Sequence, residues 1–253
     1  LFYCENGVYL FNGLPVRDHE KENWLTFLQI LEKSSNIGMV KAGQLLEENK
    51  LYQYVRDFGF GNYTGVKLPG ETPGILKKPK DWSEISLSRL SFGQGVGVTA
   101  IQLISAFSCL ANGGVLMEPM IVKRIIDSNE KVVAEFHPCP VRRVISYKTA
   151  QTLTDILCRI VKNGTGKEAG IGGYKVAGKT GTAQKFDPAT GKYSDTSYIA
   201  SFIGYLPADR PRVTILVLLD EPQGFYWAGS IAAPVFARVG LRIMHHLGVP
   251  PEL

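Results

Sequence analysis

Apolar residues return every three to four positions across 24–32 (Trp24, Phe27, Leu28, Leu31), the spacing of a helix that buries one face. A second helical pattern covers about 36–48 through Ile37, Val40, Leu45 and Leu46, with Ser34-Ser35-Asn36 at the junction. A shorter helix is expected over 51–58. Residues 1–22 read as short extended pieces and turns. Residues 59–98 lose the period and fill with glycine and proline, which predicts loop with room for one hairpin. Thr99 followed by Gln102 forms a capping-box signal, opening a helix that runs to Leu110 and stops at Asn112-Gly113-Gly114.

The apolar runs 120–126 and 131–136 flank Asp127-Ser128-Asn129-Glu130, which predicts a β-hairpin. Ser146 is expected to cap a helix to about Lys162, with Ile156, Leu157, Ile160 and Val161 on its buried face and Asn163-Gly164 ending it. The rhythm then changes. Strands are expected over 174–178 leading into 179–185, over 197–206 and over 212–220. A long amphipathic helix follows over 230–247, with Pro234 tolerated in its first turn. Two parts emerge: a mostly helical one over about 20–165, and a sheet with a C-terminal helix over about 170–253.

Composition narrows the function classes. Hydrophobic residues make up 45% and charged residues 20% of the 253 positions, enough to build a core. The net charge is only +5, and the basic residues are scattered apart from Lys77-Lys78-Pro79-Lys80 and Arg142-Arg143. No basic stripe suggests a nucleic-acid partner. Cys4, Cys109, Cys139 and Cys158 form no C-x-x-C, and the four histidines form no H-x-x-x-H, so neither a metal nor another cofactor is expected. Cys109 and Cys158 fall in apolar helical patterns and read as buried thiols. The longest apolar run, 213–219, is the length of a buried strand and too short for a membrane span. The chain opens on Leu1, which suggests a piece of a longer polypeptide with its targeting segment upstream.

Candidate chemistry sits in two short motifs. Ser34-Ser35-Asn36 matches S-x-N, and Lys179-Thr180-Gly181-Thr182 matches K-T-G-T, in the order found with S-x-x-K in penicillin-reactive serine enzymes. Further stretches agree, among them Phe92-Gly93-Gln94-Gly95, Ala111-Asn112-Gly113-Gly114 and Ala233-Pro234-Val235-Phe236. On these residues the chain resembles the transpeptidase domain of class B penicillin-binding proteins, the septal and sporulation type. The resemblance implies an α/β fold, with an antiparallel sheet flanked by helices and a helical subdomain carrying Ser34 and Asn36.

It also implies roles. Ser34 would relay a proton. Asn36 would hydrogen-bond the amide of the substrate's peptide arm. Lys179 would supply positive charge near Ser34 and the substrate carboxylate. Thr180 and Thr182 would offer hydroxyls to that carboxylate, and Gly181 would let substrate lie against the strand edge. One oxyanion-hole N–H would come from Thr182. Peptidoglycan stem peptides and β-lactam antibiotics would be the ligands, with cell-division or cell-wall synthesis proteins as further partners. The domain would be extracytoplasmic and tethered by an upstream membrane helix.

One element of the pattern is absent. The only S-x-x-K match, Ser128-Asn129-Glu130-Lys131, lies between S-x-N and K-T-G and in an expected turn, which would not hold Ser and Lys on one helix face. The expectation is therefore a domain that begins downstream of its nucleophile, with an uncovered apolar surface or an unusual oligomer where the missing helix packs. Rival readings are a D,D-carboxypeptidase or β-lactamase, and a non-catalytic β-lactam sensor or division-complex scaffold. Phe92-Gly93-Gln94-Gly95-Val96-Gly97 looks like a phosphate loop but has no following Lys-Ser/Thr pair, so it reads as structural. His245-His246 reads as a polar helix end. Tyr226-Trp227 could cover substrate or join the core, and Asp18 and His19 are assigned no role.

Overall fold

The computed structural model describes residues 1–187 and 189–252. The chain opens with β1 (Phe2–Tyr3), the hairpin β2 (Val8–Phe11) and β3 (Leu14–Arg17), and β4 (Trp24–Leu25), which pairs back onto β1. Then come α1 (Phe27–Lys33), α2 (Asn36–Leu46) and α3 (Glu48–Asp57). The expected helix over 24–32 therefore starts late. Thr26 and Gln29 form a reciprocal capping box, which fixes the first turn after Thr26 and leaves Trp24 free to pair with Tyr3.

The stretch 59–98 is not all loop. It contains α4 (Ser86–Ser91), too short for a periodic signal, and an isolated antiparallel bridge between Ile75 and Gly97. Next is α5 (Ala100–Ala111), capped by the Thr99 and Gln102 box as its sequence predicts. Four short strands follow: β5 (Val115–Met117), β6 (Arg124–Ile126), β7 (Val132–Glu135) and β8 (Pro140–Arg143). β6 and β7 form the expected hairpin with shorter arms, and β5 pairs with β8. Ser146 caps α6 (Tyr147–Asn163), accepting from the Thr149 N–H.

The main sheet consists of β9 (Ala177–Asp187), β10 (Lys192–Leu206) and β11 (Val213–Asp220), all antiparallel in the order β11-β10-β9. Of the expected strand, 174–176 stays outside β9: Tyr174 closes a turn over 172–173, its N–H donating to Ile171 C=O, and 175–176 are irregular. The expected C-terminal helix divides at Ala232 into α7 (Ala228–Ile231) and α8 (Ala233–His246), with Pro234 in the first turn of α8.

Both faces of the sheet are covered. On one, Phe202, Ala200 and Leu206 meet Phe236 and Met244 of α8. On the other, Ala177 and Tyr205 meet Ile156, Leu157 and Ile160 of α6, with Leu28 and Leu31 of α1 and Phe107 of α5 behind. A separate cluster of Phe11, Val16, Leu25, Ile30, Ile37 and Val40 holds α1 and α2 on the N-terminal strands. This packing carries the α1–α2 junction to the side of β9. Cys109 is buried, Cys158 is half-buried and both thiols are free; burial pushes each up to about 11. No helix among the described residues is long and apolar enough to cross a membrane.

Candidate active site

S-x-N occupies a joint between two helices. Ser34 ends α1 in the left-handed region (φ 56°, ψ 43°), and Ser35 caps α2, accepting from the Gly38 N–H. A left-handed serine is strained by roughly 1–2 kcal/mol, so the surroundings must hold it. They do so through the backbone: Ser35 N–H donates to Ile30 C=O (2.9 Å).

Asp18, without an expected role, supplies the other anchor. Its carboxylate accepts from the buried Ser35 hydroxyl (2.5 Å) and from the Ile37 N–H (3.0 Å). One residue earlier, Arg17 C=O accepts from the Asn36 amide (2.9 Å). That bond leaves the Asn36 carbonyl oxygen to accept an N–H from outside. A carboxylate seventeen residues before its partner carries no local pattern, so only the β2–β3 hairpin brings Asp18 here.

K-T-G-T lies on β9, an edge of the main sheet. Side chains alternate along a strand, so the motif straddles it. Lys179 leaves on the face toward α1 and α6, and its Nζ donates to Ser34 Oγ (2.8 Å) and Thr180 C=O (3.1 Å). Desolvation pushes the Lys179 ammonium down to about 8 from 10.5. Thr180 and Thr182 leave on the opposite face. Thr180 Oγ1 shares a hydrogen bond with Thr165 Oγ1 (2.7 Å), and Thr182 Oγ1 accepts from the Ala228 N–H at the start of α7 (3.2 Å).

Gly181 lies between these threonines, opposite Ser201 of β10. A Cβ there would lie 2.8 Å from Ser201 Oγ on β10, a contact the serine rotamer would have to relieve. Thr165 joins the hydroxyl group without having been singled out. Its signal was faint: a threonine between Gly164 and Gly166, just past the α6 terminus, where α6 runs alongside β9.

The aromatic residues after β11 do not join the core. Tyr198 stacks on Tyr226 (4.1 Å between centroids, 10° between planes), Tyr226 adjoins Trp227, and Trp227 meets His19 (4.5 Å). Trp227 remains 42% exposed. This row of rings links the sheet to the turn that holds S-x-N. The 92–97 segment is tied down as structure: Gln94 accepts from Arg89, and the Gly95 N–H donates to the Tyr193 hydroxyl. His245 and His246 are exposed in the last turn of α8. Ser128 lies in the exposed β6–β7 turn, where Asp127 accepts from the Asn129 and Lys131 N–H groups, so no helix turn joins Ser128 to Lys131.

At one place, then, a desolvated lysine, a left-handed serine, an amide carbonyl and three threonine hydroxyls gather beside a strand edge. Such a set can share a proton between Lys179 and Ser34 and can bind a carboxylate through Thr180 and Thr182.

Residues 3–240 match the penicillin binding protein transpeptidase domain model. The chain is 40% identical over 229 residues to Stage V sporulation protein D of Bacillus subtilis, covering 90% of this chain and 35% of that protein. It is 31% identical over 246 residues to the peptidoglycan D,D-transpeptidase FtsI of Escherichia coli, covering 96% and 40% respectively. Its structure superposes with a TM-score of 0.90 on the crystal structure of penicillin binding protein 3 from Mycobacterium tuberculosis complexed with aztreonam, at 34% identity, covering 98% of this chain and 57% of that one. The chain thus spans less than half the length of these curated relatives.

Proposed function

Because the chain belongs to the transpeptidase-domain family of class B penicillin-binding proteins, we propose that it forms the S-x-N and K-T-G walls of a peptidoglycan D,D-transpeptidase site. The observation that carries this reading is the 2.8 Å hydrogen bond from Lys179 to Ser34 beside the open edge of β9. Stem peptides ending in D-Ala-D-Ala are the substrate class, and β-lactams compete for the same wall. A domain that acts on peptidoglycan works outside the cytoplasmic membrane, where that polymer lies.

The roles follow from the bonding. Lys179 donates to Ser34 Oγ, so the Ser34 hydroxyl proton points elsewhere and is free to pass to a leaving amine. At about 8, the Lys179 ammonium gives up its proton far more readily than a solvated lysine. Asn36 accepts from the substrate's peptide N–H through its free carbonyl oxygen. Thr180 and Thr182 donate to the terminal carboxylate, with Thr165 orienting Thr180. The Thr182 N–H supplies one oxyanion donor, worth about 10²–10³ in rate where such donors have been removed.

In this reading the described residues hold the relay and the carboxylate clamp, and none of their serines is placed to be acylated. A fluorescent penicillin should leave no denaturation-stable label on the purified chain. Label at Ser128 or anywhere else would overturn that part. Independently, D-Ala-D-Ala should shift the NMR signals of Thr180, Thr182 and Lys179, and unperturbed signals at saturating dipeptide would refute the clamp.

A further inference from the structure

The end of β3 touches the site at three consecutive residues. Arg17, the last paired residue of the β2–β3 hairpin, accepts from the Asn36 amide through its C=O. Asp18 holds Ser35 and Ile37. His19 reaches the other wall, where its ring meets Trp227 (4.5 Å between centroids, 47° between planes). The His19 side chain is exposed, and no hydrogen bond or ion pair among the described residues accounts for its placement. The hairpin beneath it is a firm base. Phe11 and Val16 are buried against Leu25, Ile30, Ile37 and Val40, and the Asp18 N–H extends the pairing by donating to Gly7 C=O (3.1 Å).

Trp227 is the residue before α7, and its side chain does not cap that helix. The first free N–H of α7, on Ala228, goes instead to Thr182 Oγ1 (3.2 Å). A hydroxyl that accepts this bond keeps its own proton to donate outward. The place of Trp227 therefore sets the place of the N–H that orients Thr182. Its ring is held from two sides. On the sheet side stands Tyr226, which stacks on Tyr198; on the S-x-N side stands His19.

We propose that His19 is a positioning residue that ties the S-x-N wall to the K-T-G wall, holding the Ala228–Thr182 bond at a set distance from Asn36. The tie rests on the carboxylate-clamp reading above and keeps the two ends of that clamp in register. A ligand ending in D-Ala-D-Ala spans both ends: its amide N–H meets Asn36, and its carboxylate meets Thr180 and Thr182. Such a ligand binds best when the ends are already spaced for it, because ordering them on binding costs affinity. The Lys179–Ser34 bond also joins the walls, but on the other face of β9 from Thr182. The His19–Trp227 contact is the tie that reaches the threonines.

The test uses the full chain and two ligands, each titrated by NMR on the Thr180 and Thr182 methyl signals. N-acetyl-D-Ala-D-Ala reaches both ends; N-acetyl-D-Ala is one residue shorter and keeps the carboxylate. His19→Ala should weaken the dipeptide about two- to tenfold, the range of a ring–ring pair, and leave N-acetyl-D-Ala unchanged. His19→Phe, which keeps a ring, should bind like the wild type, and His19→Gln like His19→Ala. Trp227→Ala should also weaken the dipeptide, and adding His19→Ala to it should change nothing more. Without ligand, the Ala228 amide should exchange faster in His19→Ala and at the wild-type rate in His19→Phe. Both rings are exposed, so the variants should keep the fold, which circular dichroism checks; if His19→Ala loses it, His19→Gln decides. Unchanged dipeptide affinity would overturn the proposal. So would equal weakening of both ligands, which marks a general loss of structure, or no rescue by phenylalanine. A wild type that binds neither ligand would refute the clamp, and the Ala228 exchange rates would then decide the tie alone.

Discussion

Lys179 can be tested by exchanging it for methionine, which keeps an unbranched apolar stem one atom shorter and removes the charge. Burial holds its ammonium at about 8, against 10.5 for the solvated group. At about 1.4 kcal/mol per tenfold change in the proton equilibrium, the charged form costs the folded state up to about 3 kcal/mol at neutral pH. The sign follows from proton counts. Between about pH 8 and pH 10.5 the unfolded chain holds the Lys179 proton and the folded chain has released it, so stability rises with pH across that window. Lys179→Met has no such dependence.

Methionine also loses the hydrogen bonds to Ser34 Oγ and Thr180 C=O, at about 0.5–3 kcal/mol each. That loss is nearly constant with pH and shifts the whole curve. The informative quantity is therefore the change in the difference between the two proteins from pH 7 to pH 10.5. It should be up to about 3 kcal/mol in favour of the wild type as pH rises, by urea denaturation at each pH. The ¹³Cε resonance of Lys179 should titrate near pH 8 in the same protein. A difference that stays flat over this range, or a Lys179 midpoint near 10.5, would refute the desolvated lysine and with it the easy proton exchange with Ser34.

Two other substitutions probe what holds the site. Asp18→Ala should lower stability by about 2–4 kcal/mol in urea, because it strips the buried Ser35 hydroxyl and the Ile37 N–H of their acceptor; Asp18→Asn, which keeps one acceptor oxygen, should recover about half. Gln102→Ala should cost about 2–3 kcal/mol, since its buried amide closes the α5 capping box and donates to Asn62 and Pro73 C=O. Faster amide exchange and proteolysis in the 59–98 stretch should accompany the loss.

Legibility followed distance along the chain. The helix starts at Asn36, Ala100 and Tyr147, and the hairpin turn at 127–130, rest on residues within four positions of one another, so local capping and turn chemistry sets them. Even some local signals were outweighed. Trp24 fits a helical period but pairs with Tyr3, and the apolar period over 230–247 hides the break at Ala232. Both S-x-N and K-T-G-T could be named from the sequence because each motif is contiguous.

Their meeting could not be derived from local rules. Ser34 and Lys179 are 145 residues apart, and their hydrogen bond exists because the cluster around Ile156 and Tyr205 packs α1 and α6 on the face of the sheet where Lys179 emerges. The anchoring by Asp18 comes from the β2–β3 hairpin, and the hydroxyl of Thr165 beside Thr180 from the passage of α6 along β9, so neither follows from neighbours in sequence. The lowered basicity of Lys179 likewise exists only where packing excludes water. The sequence by itself determined which groups are present and which short elements carry them. Tertiary packing decided their distances, solvation and strain, because those depend on contacts between segments that no local preference specifies.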